Sequence, residues 1–131
     1  MAYEITWTQQ GRIAQAKIVD SISIEELEAY GQTLIDDYLE AGQAPVHIIS
    51  DARQMTHFPT NMLKIKQLTQ TWLKHPNMGW AIVIGKSNPM LNFLAATITQ
   101  VIGVKYRMVA TPEEALAILR SFDPSLIAVE S

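Results

Sequence analysis

Residues 80–91 read Trp-Ala-Ile-Val-Ile-Gly-Lys-Ser-Asn-Pro-Met-Leu, and the fold turns on how this stretch is read. Five apolar residues run without a break to Gly85. An uninterrupted run of this length is the pattern of a parallel strand covered on both faces. Gly85-Lys86-Ser87 also resembles the end of a nucleotide-binding P-loop. That loop needs a first glycine five residues earlier. Trp80 stands there, and Gly79 is one place too early. Residues 81–84 favour a strand, not a phosphate-wrapping loop. The stretch therefore predicts a buried strand, a turn at Gly85, and a helix capped by Ser87 or Asn88 with Pro89 at its first position. Lys86, Ser87 and Asn88 form a candidate anion contact at that helix start.

Working outward, the same logic orders the rest of the chain. Tyr3, Ile5 and Trp7 alternate with Glu4, Thr6 and Thr8, which predicts a strand. A turn at residues 9–12, containing Gly11, leads to a second strand at 13–19, and the pair reads as a hairpin. Ser23 and Glu26 have the spacing of a capping box. Ile24, Leu27, Leu34, Ile35 and Tyr38 then follow at helical spacing, predicting a helix over 24–40 with Gly42 as its left-handed stop. Residues 46–50 predict a short buried strand, 54–58 a loop, and 60–74 a helix. Residues 89–102 predict another helix and 105–110 a strand. Thr111, Pro112 and Glu114 open a last helix over 112–122. Residues 123–131 read as a loose tail. The predicted order is ββαβαβαβα, an α/β domain with a mixed, mostly parallel sheet.

Bulk properties narrow the function. The chain has 131 residues and a net charge of −3, with no cysteine. One domain is expected. There is no basic footprint for nucleic acid, no disulfide or thiolate chemistry, and no apolar run of membrane-spanning length. The N-terminal residues lack the pattern of a signal peptide, so a cytoplasmic protein is expected.

Few residues suggest chemistry. Asp51, Arg53 and His57 follow a strand and can form a polar cluster at the carboxyl edge of the sheet, where α/β sheets bind ligands. The simpler reading has Asp51 accepting amides of its own loop and Arg53 exposed. His47, His57 and His75 lack metal-ligand spacing, and His47 reads as a packed strand residue. Asp36, Asp37 and Glu40 read as a solvated helix face. No catalytic residue, metal or cofactor is assigned.

The helix expected over 89–102 is apolar around most of its circumference. At about 100° per residue, Leu91, Leu94, Ala95, Ile98, Val101 and Ile102 share one face, and Phe93 falls outside it with Thr97 and Gln100. A large aromatic there predicts a second buried surface: a subunit interface, a partner site or an apolar pocket. Met62, Leu63 and Trp72 can wall the same space.

The chain resembles the STAS-like domains typified by bacterial anti-sigma-factor antagonists, and the SpoIIAA-like proteins in particular. The resemblance is carried by the order of elements, by Asp51-Ala52-Arg53 with its loop to Phe58-Pro59, by the strand running into Gly85-Lys86-Ser87, and by Lys105-Tyr106-Arg107 before the capped helix containing Glu113, Glu114, Ala115 and Leu116. Antagonist members carry an Asp-Ser-Ser-Gly motif with a phosphorylatable serine. Laid on this chain, the motif falls on Pro59, Thr60, Asn61 and Met62, with Asn61 at the switch position. The resemblance implies a two-layer fold of about five strands and four helices. It also implies a non-enzymatic regulatory or interaction module without the usual phosphoserine switch; with it, the excess apolar surface of the helix expected over 89–102 leads to the expectation of self-association as a homodimer. The expected partner surface comprises Phe58, Thr60, Asn61, Met62, Met90, Phe93, Thr97 and Gln100. Similarity of the fold to CRAL-TRIO lipid-transfer domains implies an alternative, a small apolar ligand held between sheet and helices.

Overall fold

The computed structural model describes residues 3–57, 60–85, 96 and 105–129. Five strands form one sheet in sequential order: β1 (Tyr3–Gln9), β2 (Ile13–Ser21), β3 (Val46–His57), β4 (Met78–Ile84) and β5 (Lys105–Val109). β1 pairs antiparallel with β2 through the turn at Gly11, where φ is +76°. All later pairings are parallel. The helices are α1 (Ile24–Thr33), α2 (Met62–Leu73) and α3 (Pro112–Phe122). Of the helix expected over 89–102, only Ala96 lies within the described residues, and it is helical.

Side-chain alternation along the strands divides the interior in two. Ala14, Ala16, Ile18, Ile48 and Ala81 face a core built with Tyr30 and Leu34 of the first helical segment and Trp72 of α2. Ile13, Ile49, Ile82 and Ile84 face the opposite core with Ala115 and Leu119 of α3 and Leu126 beyond it. Neighbours along one strand, such as Ile48 and Ile49, thus serve different cores, as a period of two requires. Helices cover both faces, which corrects the two-layer expectation. The apolar run at 80–84 needs partners on both sides, and α3 supplies the second side.

Other boundaries also moved. The capping box forms: Ser23 Oγ accepts from the Glu26 amide at 3.1 Å, and Glu26 Oε1 accepts from the Ser23 amide at 3.0 Å. α1 runs on into a π-helical segment, Leu34–Leu39. Gly42 does not adopt a positive φ. It is required by close approach instead, since a Cβ there would sit 2.7 Å from the Gly11 carbonyl oxygen and 2.8 Å from Val46. β3 extends to His57, where a loop was expected from residue 54, because β2 also runs longer and supplies partners. Val19 pairs with Gln54, Asp20 with Met55 and Ser21 with His57, across two register shifts.

The expected loose tail is held in place as far as it is described. Residues Pro124–Val129 form a 3-10 helix. Leu126 is fully buried in the second core. The preceding Asp123 accepts from Arg12 Nη2 at 2.7 Å and from His47 Nε2 at 2.9 Å. The sequence hid this because the polar anchor and its partners lie more than seventy residues apart. Replacing Asp123 with Ala leaves the buried His47 Nε2 donor without an acceptor and removes the carboxylate from partly buried Arg12, which keeps Pro45 and Ser125, and we expect it to cost about 2–4 kcal/mol in urea unfolding. Unchanged stability would show that the segment is not held by this carboxylate.

Candidate functional site

Three places combine polar groups with position. The first is the pair of buried His47 and partly buried Asp123, which has the look of a general-base dyad. His47 is 1% exposed. Its Nδ1 accepts from the Trp80 amide at 2.9 Å, so the ring proton is on Nε2 and is donated to Asp123. Both nitrogens are used and no face of the ring is open. Gly79 lies so close that a Cβ would meet Nδ1 at 2.5 Å. The arrangement can anchor strands but cannot move a substrate proton. Its titration follows. Burial holds His47 below its ordinary value of 6.5, against the pull of Asp123. Burial also opposes the Asp123 charge, but hydrogen bonds from Ser125 and His47 and the Arg12 charge prevail and bring it to about 2.

The second place is the carboxyl edge of β3. Asp51 is buried, and Arg53 is 44% exposed through its side chain. Arg53 closes on it with Nε to Oδ1 at 2.9 Å and Nη2 to Oδ2 at 2.7 Å, and its own amide donates to Oδ1 at 3.1 Å. The hydrogen bonds from Arg53 hold Asp51 below the usual carboxylate range. Both carboxylate oxygens are thus committed within three residues. His57 pairs with its neighbour Thr56, at 3.0 Å from Oγ1 to Nδ1. Asp51 accepts the Arg53 amide and Arg53 is exposed, as the simpler reading had it; the two side chains also pair, as the cluster reading had it, but His57 finds its bond elsewhere.

The third place is the start of α2. Asn61 Oδ1 accepts from the Lys64 amide at 3.1 Å, which makes it the helix N-cap. Thr60 and Asn61 are exposed. Next to them Leu63 is 68% exposed, a large apolar side chain in water on the first turn. The sequence placed Leu63 inward, as a wall of a pocket. The phase of the helix instead turns Ile65, Trp72 and Leu73 to the core and Leu63 away from it. Of the other expected surface residues, Phe58, Met90, Phe93, Thr97 and Gln100 lie outside the described residues, as do Lys86, Ser87 and Asn88.

An open depression of about 310 Å³ lies on the outer face of the β1–β2 hairpin, lined by Glu4, Thr6, Thr8, Gln15 and Lys17. Each lining residue carries a polar or charged group. Among the described residues no group of three or more His, Cys, Asp or Glu is placed to hold a metal ion. No described helix is long and apolar enough to cross a membrane.

Two outcomes test these assignments. Unfolded histidine takes up a proton near 6.5 while the buried ring resists it, so His47 contributes stability above that pH and loses it below. The Asp123 contribution is present above 3.8 and is lost as pH falls towards about 2. Asp51, held below its ordinary range by Arg53, adds to the lower step. We therefore expect urea midpoints to fall in two steps on acidification, with the lower step reduced in Arg53→Gln, where burial opposes the Asp51 charge without that partner. At α2, Asn61→Ala costs about 1 kcal/mol in the same assay and Asn61→Ser, which keeps a capping oxygen, much less.

No protein-family model matches the chain, and no curated protein sequence matches it. Solved structures do. An uncharacterized protein of the DUF3478 family from Shewanella loihica, described as having a SpoIIAA-like fold, superposes with a TM-score of 0.63 at 14% identity, over 90% of this chain and 92% of that one. The anti-sigma factor antagonist SpoIIAA in its unphosphorylated form superposes with a TM-score of 0.52 at 15% identity, over 91% of this chain and 98% of that one. With the sheet order and both cores in place, the likeness establishes that this chain carries a SpoIIAA-like, STAS-type fold.

Proposed function

We propose that this protein is a non-catalytic regulatory module that docks a protein partner through the start of α2, in the cytoplasm and without a phosphoserine switch. The observation that carries the reading is Leu63. A leucine 68% exposed on the first turn of a helix loses apolar stabilisation unless something covers it. It sits beside Asn61, the residue that takes the place of the phosphorylatable serine in the antagonist motif. Asn61 has no hydroxyl to phosphorylate, and its side-chain oxygen is occupied in capping the helix. Position 61 is therefore held in one charge state, which suits constitutive docking.

The polar groups that would support catalysis are otherwise engaged. His47 has no free nitrogen, and Asp51 is closed by Arg53. The fold likeness adds that a protein of this architecture, SpoIIAA, is an anti-sigma factor antagonist.

The test uses the full-length tagged chain to capture partners from the source cell's lysate, with Leu63→Glu and Phe93→Glu run alongside. We expect a defined set of proteins with the unchanged chain and at least an about tenfold loss with Leu63→Glu, since a buried charge at a contact costs well over 1.4 kcal/mol. Equal recovery by the unchanged chain and Leu63→Glu would overturn the docking site. Loss with Phe93→Glu as well would extend the surface to residue 93.

A further inference from the structure

Charge is sorted along this chain. Between residues 18 and 52 there are eight carboxylates and no Lys or Arg; between residues 53 and 111 there are seven Lys or Arg and no carboxylate. The fold sets the two groups side by side. α1 and its π-helical extension carry Glu25, Glu28 and Asp36 on one exposed strip, at spacings of three and eight residues. α2 carries Leu63, Lys66 and Lys74 at the same spacings, with Lys66 half-buried and the other two exposed. The inner sides of these helices are in contact: the Tyr30 and Trp72 rings lie 6.2 Å apart edge to face, and a Cβ on Gly31 would come within 3.0 Å of Trp72. The outer surface of this helix layer is thus negative along one helix and positive along the next.

Ion pairs among the described residues include Arg12–Asp123, His47–Asp123, Arg53–Asp51 and His75–Glu40. None uses the three strip carboxylates or the two strip lysines. Both helices return between parallel strands by the same kind of crossover, so they run in the same direction. A twofold axis lying along that direction, between the helices, sets α1 of one copy on α2 of another, twice. Such an isologous contact is self-complementary by symmetry.

We propose that the α1–α2 layer is the interface of a homodimer in which the acidic strip of each copy faces Leu63, Lys66 and Lys74 of its partner. This rests on the reading of α2 as a docking surface and names its occupant. A second copy fits better than an unrelated acidic protein. An acidic protein would satisfy α2 but would meet the carboxylates of α1 beside it, and like charges brought together cost affinity. A second copy satisfies both strips at once, with Glu28 and Asp36 of each copy opposite Lys66 and Lys74 of the other.

The test is light scattering on the full chain with a charge swap. One variant carries Lys66→Glu and Lys74→Glu, the other Glu28→Lys and Asp36→Lys; Lys74, Glu28 and Asp36 are exposed and Lys66 is half-buried, and circular dichroism verifies folding of both. The unchanged chain is expected to be a dimer at low salt. Raising salt from about 0.1 M to about 1 M shortens the screening length from about 10 Å to about 3 Å and should weaken the dimer roughly tenfold or more. Each variant alone should be a monomer, because each pairs like with like. Mixed together they should restore a dimer of one copy of each, since both contacts are again opposite in sign. An unchanged chain that is monomeric, or variants that dimerise alone, or a mixture that stays monomeric, overturns the proposal. Partner capture that depends on Leu63 while the unchanged chain is monomeric would retain the docking reading and discard the dimer.

Discussion

The carboxylate of Asp123 is where distant parts of the chain meet. Arg12 reaches it from the turn that opens β2, and His47 from the start of β3. Through its other nitrogen, His47 takes the amide of Trp80 in β4. One partly buried charge therefore ties three strands to the segment after α3. Two donors offset its desolvation, and Ser125 adds a backbone and a hydroxyl contact to the second oxygen. A buried ionised group is stable only with such partners. Once it is satisfied, Leu126 is delivered to the second core and the sheet is closed on that face.

This anchoring decides what the molecule can do chemically. A histidine beside an aspartate is the residue pair most readily taken for a catalytic base, yet here it is a strut. The distinguishing feature is the second nitrogen. In a working base that nitrogen faces a substrate or solvent; in His47 it accepts a backbone amide and lies against Gly79. The aromatic stack of Phe122 on Trp80, with centroids 4.2 Å apart and Arg107 over the outer ring, continues the same packing outward. Interest shifts to the other face of the sheet, where α1 and α2 present charge and an uncovered leucine.

Individual elements show how much could be read in advance. Ser23 with Glu26, and Thr111 before Pro112, located two helix starts, because capping is a contact between residues three apart. The run at 80–84 marked a central strand, because burial on both faces leaves no polar position. The extension of β3 to His57 was not legible. Residues 52–57 are mixed in polarity, and their strand conformation depends on β2 residues about thirty-five positions away. Gly42 was legible as important but for another reason: its spacing suggested a left-handed stop, while the structure needs room against Gly11 and Val46.

The sequence by itself determined the α/β alternation, the central strand, the helix caps and the absence of a P-loop. All of these are local, since they depend on periodicities and on contacts a few residues apart. Only the tertiary structure decided that helices cover both faces of the sheet, that residues 123–129 are held by Arg12 and His47, that the His47–Asp123 pair is sealed, and that Leu63 faces water. These depend on which segments meet across the sheet and on the phase of a helix against its core. Both are settled by packing over long sequence separations, where one chain's local preferences are compatible with several outcomes.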